Sequence, residues 1–486
     1  FILWTNAGMG FAIGPSRVHP ETGEILDADV VMDEGFITSW AEAYHKLLPE
    51  LATESLGPET LQWLSNNPQW DPRVRLAPPA QRTKVRREIA MADAQGENYG
   101  GHPAAKVDGT LLGDDQYDGL AGRVSQVSGR CDQLMIKALD VGLFRLNPDL
   151  FAEIAAGQYG DDEDNGENGD DDNGKGDDEN GEDEDADDED GENGDDDDGP
   201  MIDKKTDILD GMPDWFIGPL LKSVIMHEVG HTLGLRHNFK ASTVYSLEEV
   251  NTEEHKGEPI VGSVMDYNPI NVNFKDGPVQ GDYATTTIGP YDYWAIEYGY
   301  TPKKKLKPVL EKIKREELLY ATDEDTWGPD PRARRFDFGA DPLNYADSQM
   351  RLVEHLRSKI LDRMVKKGES WAEAREAYEM LLGRHFSAVS IAANWVGGAY
   401  VNRAKKGDPV EEDPVEMIPA DRQRRALNFV IDNTFQSEAF GLTPELLSKM
   451  TVDKWWGSGG SIFEDETWPV HDRILGLQAS ALSMLM

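Results

Sequence analysis

His227-Glu228-Val229-Gly230-His231-Thr232-Leu233-Gly234-Leu235-Arg236-His237 carries three imidazoles, one carboxylate and a glycine at the spacing a mononuclear zinc hydrolase needs. His227 and His231 stand four residues apart, so on a helix they project from one face and can reach a single ion. Glu228 sits beside the first histidine, where a carboxylate can reach activated water without becoming a ligand. Gly234 can adopt φ > 0, end the helix and turn the chain, which lets His237 swing back as third ligand. A fourth coordination position is then left for water, as in a catalytic rather than a structural zinc site. The plainer reading is a helix with three surface histidines, but it leaves the fixed offsets of all five residues unexplained.

Downstream, Ser263-Val264-Met265-Asp266-Tyr267 follows a polar, loop-like segment. An HExxHxxGxxH helix followed by such a methionine turn resembles the metzincins. Other stretches narrow the likeness. The run His-Asn-Phe-Lys-Ala-Ser from His237, Gly289-Pro290-Tyr291-Asp292-Tyr293-Trp294 and Phe336-Asp337-Phe338-Gly339-Ala340-Asp341-Pro342 are similar to the large bacterial metalloproteases called the met-zincin family. So are Gly14 to Val18 and Gly23 to Val30 near the start.

The resemblance implies an α+β fold. A metzincin-like catalytic domain over 1–300 would combine a twisted mixed sheet, the zinc-site helix and a closing helix, with a mainly α-helical domain following at 301–486. It implies that Met265 forms an apolar floor beneath the histidines and that Asp292 caps the closing helix and braces the turn. Tyr267 matches the place of a tyrosine that in some metzincins swings to the metal or oxyanion, yet Asp266 replaces the histidine that precedes it there. Tyr267 therefore reads equally as a core residue, and Asp266 as an anchor for a ligand histidine or a brace of the turn. Ile25 to Met32 resembles the edge strand on which metzincins bind substrate backbone, or else it is one arm of an ordinary hairpin.

Composition bounds the alternatives. The net charge is −43, and 24 acidic residues against one lysine fall between Asp161 and Asp198. The remaining chain still carries 67 acidic and 47 basic residues, which argues against nucleic acid as a partner. The tract of Asp, Glu, Gly and Asn has almost nothing to bury, so it reads as a disordered insertion at about 160–200. A weak Ca²⁺ sponge is its sharper alternative, without EF-hand spacing to support it. No apolar run is long enough to span a membrane. Cys131 is the single cysteine, so no disulfide can form within the chain. The chain opens on Phe1-Ile2-Leu3-Trp4 rather than methionine, which suggests a processed or partial polypeptide. A secreted or periplasmic location is the matching expectation.

Along the chain, Gly10 to Val18 and Glu24 to Met32 read as strands separated by the turn-like His19-Pro20-Glu21-Thr22-Gly23. Helical spacing appears over Ile37 to Leu51 and Val124 to Phe144, the latter with Leu134, Ile136, Leu139 and Val141 as core. Glu59 to Gln116 reads as irregular, except for a short helix from Gln81 to Ala94. The zinc helix should run from Trp215 to Leu233 and start at Pro219, with Leu220, Leu221, Val224 and Ile225 on its buried face. Later helices are expected over Tyr291–Tyr300, Lys304–Leu319, Asp347–Lys367, Trp371–Phe386, Asp421–Asn433 and Pro444–Met450.

Three function classes follow. The first is a metalloendopeptidase on peptide or protein substrates, with Zn²⁺ on His227, His231 and His237 and Glu228 as general base. The second is a zinc hydrolase of a non-peptide substrate. The third is a binding protein with a vestigial metal site, which the intact Glu228 disfavours.

Overall fold

A computed structural model describes residues 2–5, 12–13, 16–19, 22, 24–33, 58–77, 82–94, 130–131, 137, 141, 208–209, 212–403, 405–407, 413–454 and 465–486. The helix expected at Ile37–Leu51, nearly all of Val124–Phe144 and the acidic tract lie outside the described residues. The described architecture is mainly helical, with small sheets.

Strands β1 (Ile2–Thr5), β2 (Ala12–Ile13), β3 (Ser16–Val18), β4 (Ile25–Ala28), β5 (Val30–Asp33) and β6 (Arg130–Cys131) form two sheets. The larger is mixed, in the order β1-β5-β2-β6, with β1 and β5 parallel and the other pairs antiparallel. Strand β4 pairs antiparallel with β3, and the turn between them is closed by His19 N–H donating to the Glu24 carbonyl at 2.7 Å. The strand expected from Ile25 to Met32 is thus two strands divided at Asp29. Its second half lies between β1, which pairs with residues 30–33, and β2, which pairs with Val31 and Met32. Val31 and Met32 are therefore paired on both sides and offer no open edge to a peptide.

Helices α1 (Pro58–Asn66), α2 (Pro72–Leu76) and α3 (Arg82–Ala94) follow. The first two occupy sequence that reads as irregular, and Asp71 caps α2 by accepting from Arg73 N–H. A two-strand ribbon of β7 (Ile208–Leu209) and β8 (Met212–Pro213) leads into α4 (Asp214–Thr232), the helix of the histidine motif. It begins at Asp214, one residue before the expected span, and Pro219 lies inside it rather than at its start. The first turn buries Phe216 and Ile217, and that burial offsets the one backbone hydrogen bond a proline removes.

Downstream lie α5 (Leu247–Val250), α6 (Pro290–Tyr300), α7 (Leu306–Leu310), α8 (Pro342–Ser358), α9 (Ala372–Ala393), β9 (Ala399–Val401), β10 (Val415–Met417), α10 (Ala420–Asp432), α11 (Pro444–Lys449) and α12 (Val470–Met484). The single helix expected over Lys304–Leu319 is α7 flanked by short 3-10 turns, since only Val309 and Leu318 there are buried to hold a longer one. Helix α9 runs seven residues past its expected end and is buried on nearly every face from Ala374 on. Helix α12 and the β9–β10 pair have no counterpart in the sequence reading.

One apolar cluster unites these parts. It contains Val30 of β5, Val141, Phe216, Leu220 and Val224 of α4, and Tyr267, Ile270 and Phe274 beyond the methionine turn. It also contains Leu352, Tyr378, Phe386, Val430 and Leu477 of the later helices. The back of the histidine helix and the C-terminal helices therefore share a core, which leaves the opposite face of α4 to the site.

Candidate metal centre

The end of α4 sets up the third histidine. Gly234 has φ +86°, and Gly234 N–H donates to His231 O at 2.9 Å while Leu235 N–H donates to Gly230 O at 3.0 Å. That pair of bonds is a Schellman motif, and it turns the chain so that His237 returns towards the helix. The helix end is tied from outside too, because Tyr300 at the end of α6 donates its hydroxyl to Leu233 O at 3.2 Å.

All three histidines are buried, and each is oriented through Nδ1. His227 Nδ1–H donates to Val264 O at 2.7 Å, and His231 Nδ1–H donates to Leu235 O at 3.0 Å. His237 Nδ1–H donates to Asp323, 2.9 and 3.1 Å from its two oxygens. Every Nε2 is thereby left to face its neighbours, with His227 and His231 Nε2 3.1 Å apart. Tetrahedral zinc with Zn–N bonds of about 2.0–2.1 Å puts ligand nitrogens about 3.3 Å apart, so the set fits the ion. Among the described residues, these three offer ligand atoms that all lie within 4.8 Å of one another. Burial, then the neighbouring imidazoles, hold His227 well below the usual histidine pKa, and the same causes push His231 down to about 3. Neutral imidazoles are the form that binds a metal. Glu228 is fully buried next to His227 on the same helix.

Beneath the histidines lies the methionine turn. Met265 is fully buried, and its thioether lies where a side chain on Gly230 would begin: a β-carbon there would stand 2.2 Å from Met265 Sδ. Gly230 thus matters for the space it leaves, and Gly234 for its φ. Asp292, in the first turn of α6, accepts from Gly289 N–H at 2.8 Å, Val264 N–H at 2.9 Å and the Ser263 hydroxyl. One carboxylate therefore caps the closing helix and holds two residues of the turn. Asp266 accepts from Ser242 N–H at 2.7 Å, while the Ser242 hydroxyl donates to Asp337 at 2.9 Å. Burial, then the nearby Asp337, push the Asp266 carboxyl well above its usual range. These bonds link the turn to the Phe336–Pro342 run, as does Phe336 N–H donating to Tyr267 O at 3.1 Å.

Tyr267 is buried against Phe239 and Phe336, and its hydroxyl donates to His237 Nε2 at 2.9 Å. Its ring thus belongs to the core while its hydroxyl lies beside the third histidine.

The sequence reading did not find Asp323, which lies 86 residues beyond His237 and past the closing helix. Asn238 is fully buried, donates its backbone N–H to Met265 O at 3.0 Å and its amide to Leu319 O at 3.0 Å, and accepts from Ala321 N–H at 3.2 Å. With Phe239 N–H donating to Ala321 O at 2.8 Å, residues 319–323 run alongside 237–239 and deliver Asp323 to the third histidine. The acidic run Thr322-Asp323-Glu324-Asp325 signals carboxylates, but nothing in its spacing points to a histidine.

Three buried imidazoles converging by Nε2 on one point, with a glutamate beside the first, define a metal-binding protein of the HExxH type. Residues 210–486 match the Met-zincin family model, and the chain belongs to the Met-zincin family. No curated protein and no solved structure matches the chain. No described helix is long and apolar enough to cross a membrane.

Proposed function

We propose that this chain is a zinc-dependent metalloendopeptidase acting on peptide or protein substrates. The observation that carries the reading is the convergence of His227, His231 and His237 Nε2, with Nδ1 of each already committed to an acceptor. Family membership supports it, because the metzincin pattern is that of zinc proteases. When bound, zinc supplies a Lewis acid that activates water and polarises a carbonyl.

The chain's own residues do the rest. His227, His231 and His237 would hold a zinc ion, and their Nδ1 partners keep each ring from rotating. Glu228 accepts the proton of the attacking water on a carboxylate oxygen and returns it to the leaving amine nitrogen. Burial of Glu228 keeps bulk solvent from competing for that proton. Met265 and Asp292 keep the turn beneath the rings in place. The 2.9 Å approach of the Tyr267 hydroxyl to His237 Nε2 supports a role beside the reacting carbonyl, and the burial of its ring supports a structural one.

Glu228→Gln tests the assignment. Cleavage of a peptide library should fall by about 10²–10⁴-fold while zinc stays near one per chain. A zinc-loaded wild type that cleaves no peptide refutes the protease reading, and unchanged cleavage by the variant refutes the role of Glu228.

A further inference from the structure

The three ligand rings are not held alike. His227 and His231 donate Nδ1–H to the backbone carbonyls of Val264 and Leu235. His237 donates to a carboxylate, and that carboxylate is itself almost fully buried. Asp323 is in turn held from several sides. The Thr322 hydroxyl donates to Asp323 Oδ2 at 3.3 Å, the Thr326 hydroxyl donates to Asp323 O at 2.8 Å, and Arg236 Nη2 lies 3.7 Å from Oδ2. Arg236 also donates to both oxygens of Glu324 at 2.8 Å, so the cation next to His237 in sequence bridges two acids of one turn.

From this we infer that Asp323 is a positioning residue which, through His237 Nδ1, sets how tightly the centre holds zinc. The inference rests on the zinc reading above. A carboxylate can only accept from Nδ1–H, so it selects the tautomer whose Nε2 lone pair faces the metal. It places a negative charge behind the third imidazole and makes that nitrogen a stronger donor than a carbonyl-bonded one. Because the other two rings lean on backbone, His237 is the ligand whose support a side-chain substitution can remove. The support comes from the segment after α6, so the centre is complete only when residues 319–323 lie along the exit from the histidine motif.

The test measures zinc affinity on the full chain by chelator competition, with the absorption bands of the Co²⁺-loaded protein as a second readout. Asp323→Asn keeps an acceptor and removes the charge, while Asp323→Ala removes both. Zinc affinity should drop about 10-fold for the first and towards 100-fold for the second, with altered cobalt bands. Glu324→Gln perturbs the same turn without touching His237 and should stay within about twofold of wild type, the spread expected of a surface charge change. Thermal unfolding of Asp323→Asn with zinc stripped should match wild type, which separates positioning from general damage if the alanine variant does not fold. Wild-type affinity in both Asp323 variants overturns the inference, as does an equal loss in Glu324→Gln. A wild-type chain that binds no zinc overturns the zinc reading itself, and this inference with it.

Discussion

Replacing Gly230 by alanine should destabilise the protein, and by more than the same change at Gly218, in the same helix. At Gly218 an added β-carbon meets nothing within 4 Å beyond its chain neighbours, so a propensity gain of about 0.5–1 kcal/mol is opposed only by contact with the ring of Pro219, the next residue. At Gly230 the added carbon lands 2.2 Å from Met265 Sδ and 3.4 Å from Met265 Cε. Ordinary contact needs about 3.5–4.0 Å, so the thioether must retreat by roughly 1.5 Å. Methionine is flexible, but this one is fully buried, and overpacking a core typically costs about 1–3 kcal/mol. Set against a propensity gain of about 0.5–1 kcal/mol, the net change should be about 0–2.5 kcal/mol of destabilisation. Urea unfolding at fixed free zinc reads both substitutions directly. Repeating Gly230→Ala in a Met265→Ala background completes a cycle. With the sulfur gone the alanine should lose its penalty, a coupling of about 0.5–3 kcal/mol. Equal effects at the two glycines, or no coupling to Met265, would refute the contact between the helix backbone and the methionine turn.

Asp292→Ala leaves two N–H groups and a hydroxyl without their acceptor, so it should cost about 3 kcal/mol or more, with Asp292→Asn losing less. Denaturant titration of the pair checks the order. Stripping zinc with a chelator should lower the unfolding temperature, by an amount equivalent to about 2.7 kcal/mol when free zinc had stood at 100 times its Kd. A melting curve indifferent to chelator counts against a native metal site. Asp266 has a folded pKa raised by burial and by Asp337. Its favourable contribution is therefore full below the unfolded aspartate value of about 3.9 and is lost as pH rises through the higher folded value, at about 1.4 kcal/mol for each pH unit separating the two. Asp337→Asn removes the like charge and should flatten the fall in melting temperature between mildly acid and alkaline buffer. An unchanged pH profile would show that the two carboxyls do not interact.

The four residues His227, Glu228, His231 and Gly234 were legible because their relation is local. A helix carries positions i and i+4 to one face whatever surrounds it, and a glycine in the left-handed region ends it. Family resemblance extended that reading to Met265 and Asp292, although the bonds of Asp292 to Val264 and Ser263 join segments 28 and 29 residues apart. The reading failed where a neighbour decides. Burial of Phe216 and Ile217 carries α4 upstream through Pro219, and pairing on both sides puts Val31 and Met32 inside the sheet. The sequence by itself determined which side chains could bind a metal and on what local frame, since covalent spacing and helix geometry settle that. Tertiary structure alone decided what stands behind each ligand: Val264 O for His227, the Met265 thioether against Gly230, and Asp323 for His237. The reason is physical, because hydrogen bonds and packing depend on where distant segments cross, and no periodicity within a segment records the crossing.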